Sequence, residues 1–103
     1  VKPHGYGIVR ALVGHGVGHA VHEDPHVPNF VDERAPRIEI VDGMVIAIEP
    51  MLGAGDYLVK TAQDGWGVLM ADGQLGAHFE VTVACTKGGT QILTPLPLAP
   101  FGN

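Results

Sequence analysis

The chain is a succession of short apolar runs, rich in β-branched residues and cut by glycine, proline and aspartate, a pattern that predicts strands and turns with little helix. Residues 5–12 read as a strand or short extended segment bounded by glycines. The stretch Gly14-His15-Gly16-Val17-Gly18-His19 holds three glycines in five positions, each about 1 kcal/mol worse than alanine in a helix. Extended backbone with a close neighbour is predicted there. Pro25 and Pro28 predict a loop over 23–29, the charged 32–37 segment with Pro36 a solvated connection, and Asp42-Gly43 a turn.

The run Met44-Val45-Ile46-Ala47-Ile48-Glu49 is nearly all apolar and stops at Pro50, as expected of a strand buried on both faces. It ends in a carboxylate. Residues 57–62 and 66–71 flank Asp64-Gly65 and predict a hairpin, and Asp72-Gly73 marks the next turn. A second buried strand is predicted over 78–85, then a Gly88-Gly89 turn and a return strand at 90–93. Residues 95–103, with three prolines, read as an irregular tail.

Composition narrows the class. With 15 Gly and 8 Pro in 103 residues a helical bundle is excluded, and 46% hydrophobic residues exclude disorder. One domain over 1–94 followed by the tail is expected. The net charge of -5, with no run of either sign, argues against nucleic acid and membrane as partners. No apolar run approaches bilayer length, no basic-then-apolar leader opens the chain, and Cys85 is the single cysteine. These features lead us to expect a reduced, cytoplasmic setting. Five of the six histidines fall in the first 26 residues, a concentration of groups that titrate near neutrality and ligate metals.

Glu49 and Glu80 each lie inside an apolar run, where an unpaired carboxylate is costly to keep ionised. Either each points out of an edge strand into water, or a basic residue, a proton or a cation compensates it. The few basic residues avoid the strongly apolar runs, so two such glutamates plus a histidine on a glycine-rich strand favour a metal. His15 is that histidine, because its flanking glycines let a ligand approach. One imidazole with carboxylates suits Mn, Fe, Co or Zn. His4, His19 and His26 read as surface or supporting groups, and His22, before Glu23-Asp24-Pro25, as a substrate-contacting donor. The Gly-x-Gly-x-Gly spacing lacks the helix and ribose-binding acid of a dinucleotide loop.

Taken in order, Gly14-His15-Gly16-Val17-Gly18, His22-Glu23-Asp24-Pro25, Val27-Pro28-Asn29, Ile48-Glu49-Pro50-Met51, Asp64-Gly65-Trp66 and His78-Phe79-Glu80 with Thr82 resemble the type I methionine aminopeptidases of the M24 metallopeptidases. The resemblance covers almost the whole chain. It implies an α+β pita-bread fold of which this chain is the β-rich second, C-terminal lobe, an incomplete fold. It further implies two divalent metal ions, with His15 and Glu49 on one and Glu80 bridging both. Glu49 would take the proton from the attacking water. His22 would hydrogen-bond the substrate and stabilise the tetrahedral intermediate, and Val21 and Trp66 would wall the methionine pocket. The implied partners are peptides with an N-terminal methionine and the missing first lobe.

Two departures qualify the resemblance. Val81 stands where the family often has a histidine, and the two metal-binding aspartates and a further histidine of the first lobe have no counterpart here. Asp32 and Asp42 sit in turn-like sequence and do not replace them. The chain alone is therefore expected to bind metal weakly, to show no peptidase activity and to expose an apolar face where the first lobe would lie. A Xaa-Pro aminopeptidase or prolidase would carry other residues at Met51 and His78, and a non-catalytic pita-bread binding module would have no reason to keep His15, Glu49 and Glu80 together.

Overall fold

The computed structural model describes residues 1–95. A short 3-10 turn, Lys2–His4, leads into β1 (Gly7–Ile8), β2 (Gly14–Gly16), β3 (Glu23–Val27), β4 (Val45–Ile48) and β5 (Met51–Gly53). The second half holds β6 (Val59–Thr61), β7 (Val68–Met70), β8 (Gly76–His78), β9 (Val81–Thr86) and β10 (Gly89–Ile92). All pairings are antiparallel. A five-stranded sheet runs β10-β9-β4-β2-β3, a three-stranded sheet β1-β5-β8, and β6-β7 is a separate hairpin.

No α-helix occurs among the described residues, so residues 1–95 show the β-rich part of the α+β expectation and none of its helical part. Glycine and proline interrupt most of the chain, and the longest described stretch without either, 77–87, is rich in β-branched residues that favour a strand over a helix. Of the predicted tail, residues 96–103 lie outside the described residues.

The large sheet is built around its glycines. β2 is flanked by β4 on one side and β3 on the other. A Cβ on Gly14 would run into the carbonyl oxygen of Ala47, and one on Gly16 into that of Asp24, so the close neighbour expected of this segment is present on both sides. The predicted loop at 23–29 is in part a strand. β3 pairs with β2 through a bulge between His15 and Gly16, and as an outer strand it tolerates Pro25, which needs no ladder hydrogen bond on its open side. The core is small: Val9, Ile46, Ala47, Val83 and Cys85. Cys85 is a free, buried thiol.

Both long apolar runs are broken and change sheets. β4 pairs with β9 from Val45↔Ala84 to Ile48↔Val81 in the large sheet, whereas β5 pairs with β8 from Met51↔His78 to Gly53↔Gly76 in the small one. Between them Glu49-Pro50 faces Phe79-Glu80, and the Phe79 N–H donates to the Pro50 carbonyl at 3.2 Å. The predicted single strand over 78–85 is thus two strands. Pro50 brings no N–H to the ladder, and both chains leave the large sheet at that point. Nor is 44–49 buried on both faces, since Ile48 is exposed.

The hairpin β6-β7 closes over Asp64, whose Oδ1 accepts from the Trp66 and Gly67 N–H groups at 2.9 and 2.8 Å. Those bonds hold the Asp64 carboxyl below its usual range, the Gly67 contact most strongly. Asp72 does the same for the next turn, accepting from Gln74 N–H at 3.0 Å and Asp56 N–H at 2.8 Å, and its carboxyl is likewise held low, by Gln74 first. The predicted Gly88-Gly89 turn falls one residue earlier, at Lys87-Gly88, with Gly89 at φ 117° opening β10.

A candidate metal centre

His15 is delivered to the site by β2 and its orientation is set locally. Its Nδ1 lies 2.8 Å from the carbonyl oxygen of Gly16. A carbonyl only accepts, so Nδ1 carries the proton and donates. In the neutral ring Nε2 then presents a lone pair, and it faces Glu49 Oε1 at 3.1 Å. Two acceptors at that distance repel unless a positive charge lies between them, either a proton or a metal ion. A backbone carbonyl on the second ring nitrogen is the arrangement that orients metal-binding histidines. Both side chains are only 13% exposed, which strengthens the demand.

Glu49 follows the last residue of β4, at the corner where the run leaves the large sheet. Glu80 sits at the matching corner before β9 and is exposed. One donor atom from each of His15, Glu49 and Glu80 lies within 4.8 Å of the other two. Donors about 2.1 Å from a common ion stand about 3.0 Å apart when adjacent and about 4.2 Å apart when opposite. The His15–Glu49 separation already matches an adjacent pair, and the 4.8 Å limit on the group places Glu80 near the range of an opposite pair. The donor set fits a divalent cation of the hard or borderline kind.

His22 lies beside this group. Its ring centroid is 4.2 Å from that of His15, with the planes tilted by 57°. The chain reaches it by turning back after Gly18, whose N–H donates to the Ala20 carbonyl, and the Glu23 carboxylate closes the turn by accepting from Ala20 N–H at 2.8 Å. A cavity of about 790 Å³ runs alongside, lined by His15, His22, Glu49 and His78 and by apolar side chains that include Leu12, Met51, Leu52 and Leu69. It offers an apolar side chain room next to polar groups. Between the lining residues Val9 and Ala11, Arg10 sets its guanidinium 3.9 Å from the ring centre of Tyr57 and 5.3 Å from that of Phe30.

The structure therefore brings together His15, Glu49 and Glu80, with His22 adjacent. It does not bring Val21 or Trp66 to the cavity wall: they are 73% and 91% exposed. The residue missed from the sequence is His78, whose Nε2 stands 3.4 Å from Glu49 Oε2. Only the break after β8, which the sequence pattern hides, places it there.

Comparison with known proteins shows the family of the chain. The sequence model of metallopeptidase family M24 matches residues 1–87. The chain is 54% identical to the methionine aminopeptidase of Clostridium perfringens over 95 residues, covering 91% of this chain and 37% of that protein. It is 49% identical to methionine aminopeptidase 1 of Bacillus subtilis over 90 residues, 86% of this chain and 36% of the relative. The crystal structure of the Thermotoga maritima methionine aminopeptidase superposes with a TM-score of 0.83 at 42% identity, over 90% of this chain and 37% of that one. The chain thus spans little more than a third of the length of the relatives it matches.

Proposed function

The chain belongs to metallopeptidase family M24, and from that membership we propose that it is the second, C-terminal lobe of a pita-bread metalloaminopeptidase that removes the N-terminal methionine from nascent proteins. The observation that carries the reading is the His15–Glu49 pair, in which an imidazole with its proton committed to Gly16 faces a carboxylate oxygen at 3.1 Å. The helical part of the α+β fold would then lie outside residues 1–95. Two divalent ions of the Mn, Fe, Co or Zn class are proposed, with His15 and Glu49 on one and Glu80 shared.

Ions bound there would supply Lewis-acid polarisation of the scissile carbonyl and a lowered pKa for the attacking water. Glu49 accepts the proton of that water and returns it to the leaving amine. His22 donates a hydrogen bond to the substrate as charge builds on its oxygen. The apolar wall around Leu12, Leu52 and Leu69 takes up the methionine side chain and keeps bulk water from the reacting atoms. Val21 and Trp66, exposed in this chain, are proposed to join the methionine pocket in the assembled enzyme. A first lobe would supply the remaining ligands and cover the exposed Leu75 and Phe79. The free thiol of Cys85 suits a reducing, cytoplasmic setting.

On this reading the 103-residue chain by itself is inactive. Calorimetric titration with Co²⁺ should show weak uptake, and a Met-Ala-Ser peptide should release methionine only when the first lobe of a relative is added. Tight uptake of two ions, or methionine release by the chain alone, would overturn the division of labour. The absence of any Co²⁺ uptake would overturn the metal centre itself. A Xaa-Pro peptidase is disfavoured because the similar proteins described above are methionine aminopeptidases. A non-catalytic module is disfavoured by the gathering of His15, Glu49 and Glu80.

A further inference from the structure

We propose that His78 is a positioning residue for Glu49, holding one carboxylate oxygen so that the other is presented to the metal; this rests on the metal-centre reading above. The β5-β8 ladder sets His78 opposite Met51, two residues beyond Glu49. Its Nε2 then lies 3.4 Å from Glu49 Oε2, while His15 Nε2 lies 3.1 Å from Oε1. The two oxygens are thus divided between two histidines on different sheets.

The division matters because a carboxylate turns freely about its last torsion, with two broad and nearly equivalent orientations. An N–H donor beside Oε2, at 3.4 Å, restricts that freedom and keeps Oε1 turned to His15. His78 is not one of the donors that approach one another within 4.8 Å, so it works through Glu49 and not as a ligand in its own right. Its side chain is 47% exposed on the outer strand of the small sheet, so it fills no core space and can be replaced without disturbing the fold. The competing reading is a histidine that merely lines the cavity, with no effect on its neighbour.

The two readings separate in a Co²⁺ titration of the full chain followed by calorimetry. His78→Ala should raise the Kd about tenfold, the usual consequence of losing a group that orients a metal ligand. His78→Gln, whose amide N–H reaches the same oxygen, should restore the affinity to within about twofold of the unsubstituted chain. An unchanged Kd in His78→Ala, or a glutamine variant as weak as the alanine one, would overturn the positioning role. His15→Ala is the control, in which the heat of Co²⁺ uptake should disappear. If His15→Ala leaves that heat unchanged, the metal centre fails and His78 with it. If His15→Ala is severe and His78→Ala silent, only the positioning role fails.

Discussion

Two corners of the molecule are built alike and equipped differently. At one, Glu49 follows β4 and is nearly enclosed, with a histidine nitrogen near each of its oxygens. At the other, Glu80 precedes β9, is exposed, and has no hydrogen bond or ion pair among the described residues. The backbone gives both corners the same origin, a pair of runs changing sheets at Pro50 and Phe79. What separates them is the neighbourhood. Glu49 has its orientation set before any ion arrives, and Glu80 acquires one only from the ion or from a partner. A ligand that is already oriented is suited to proton transfer, and one that is free to move is suited to bridging.

The sharpest way to break this comparison is a pair of glutamine variants in the chain complemented by a first lobe. Glu49→Gln should lower kcat for methionine release about 10²- to 10⁴-fold even at saturating metal, because on the proposed mechanism the proton acceptor itself is gone. Glu80→Gln should lose activity mainly at low Co²⁺ and recover part of it when the metal is raised. Equal and metal-independent losses would erase the distinction between the corners. Next in size, His22→Ala should cost about 10²- to 10³-fold in kcat, as removal of an oxyanion donor does, while calorimetric Co²⁺ affinity stays the same. A large affinity change would move His22 from the substrate to the metal.

Stability effects are smaller and divide along the same line. Gly16→Ala, next in sequence to His15, forces a methyl group against the Asp24 carbonyl and should cost about 1–3 kcal/mol in urea unfolding. Glu80→Ala, on the open corner, should stay within about 0.5 kcal/mol. The smallest effect concerns the turn that feeds β8. Asp72 is held below the usual carboxylate range by the Gln74 and Asp56 N–H groups, so the folded chain binds fewer protons there than the unfolded one. That contribution is complete above the ordinary aspartate pKa and is lost as pH falls through the lowered value. Amide protection factors at 74–78, corrected for the intrinsic exchange rate, should therefore fall in acid, and Asp72→Asn should remove that fall. An unchanged acid profile in that variant would reject the assignment.

The sequence shows the candidate ligands more readily than their supports. His15 is visible because three glycines around it can mean only close approach, and Glu49 and Glu80 because carboxylates stand out in apolar runs. The extended β2, the β6-β7 hairpin and the β9-β10 return follow from local turn chemistry. Hidden were β5 and the division of 78–85, because a change of sheet is decided by what the partner run offers. Here Pro50 on one strand ends pairing on both. His78 was hidden with them. The strand character of 23–27 escaped as well, since proline is read as a loop signal and its tolerance on an outer edge depends on strand order.

The crossing of two strands between two sheets has a thermodynamic corollary. Each sheet enters the corner through one end of each run, so an ion that grips Glu49 and Glu80 also fastens the small sheet to the large one. By mass action such a fastener is worth about 2.7 kcal/mol when the free ion is a hundred times its Kd. The concentration of a cation would then govern how often the small sheet swings away, and the wall of the cavity would be as firm as the supply of metal allows.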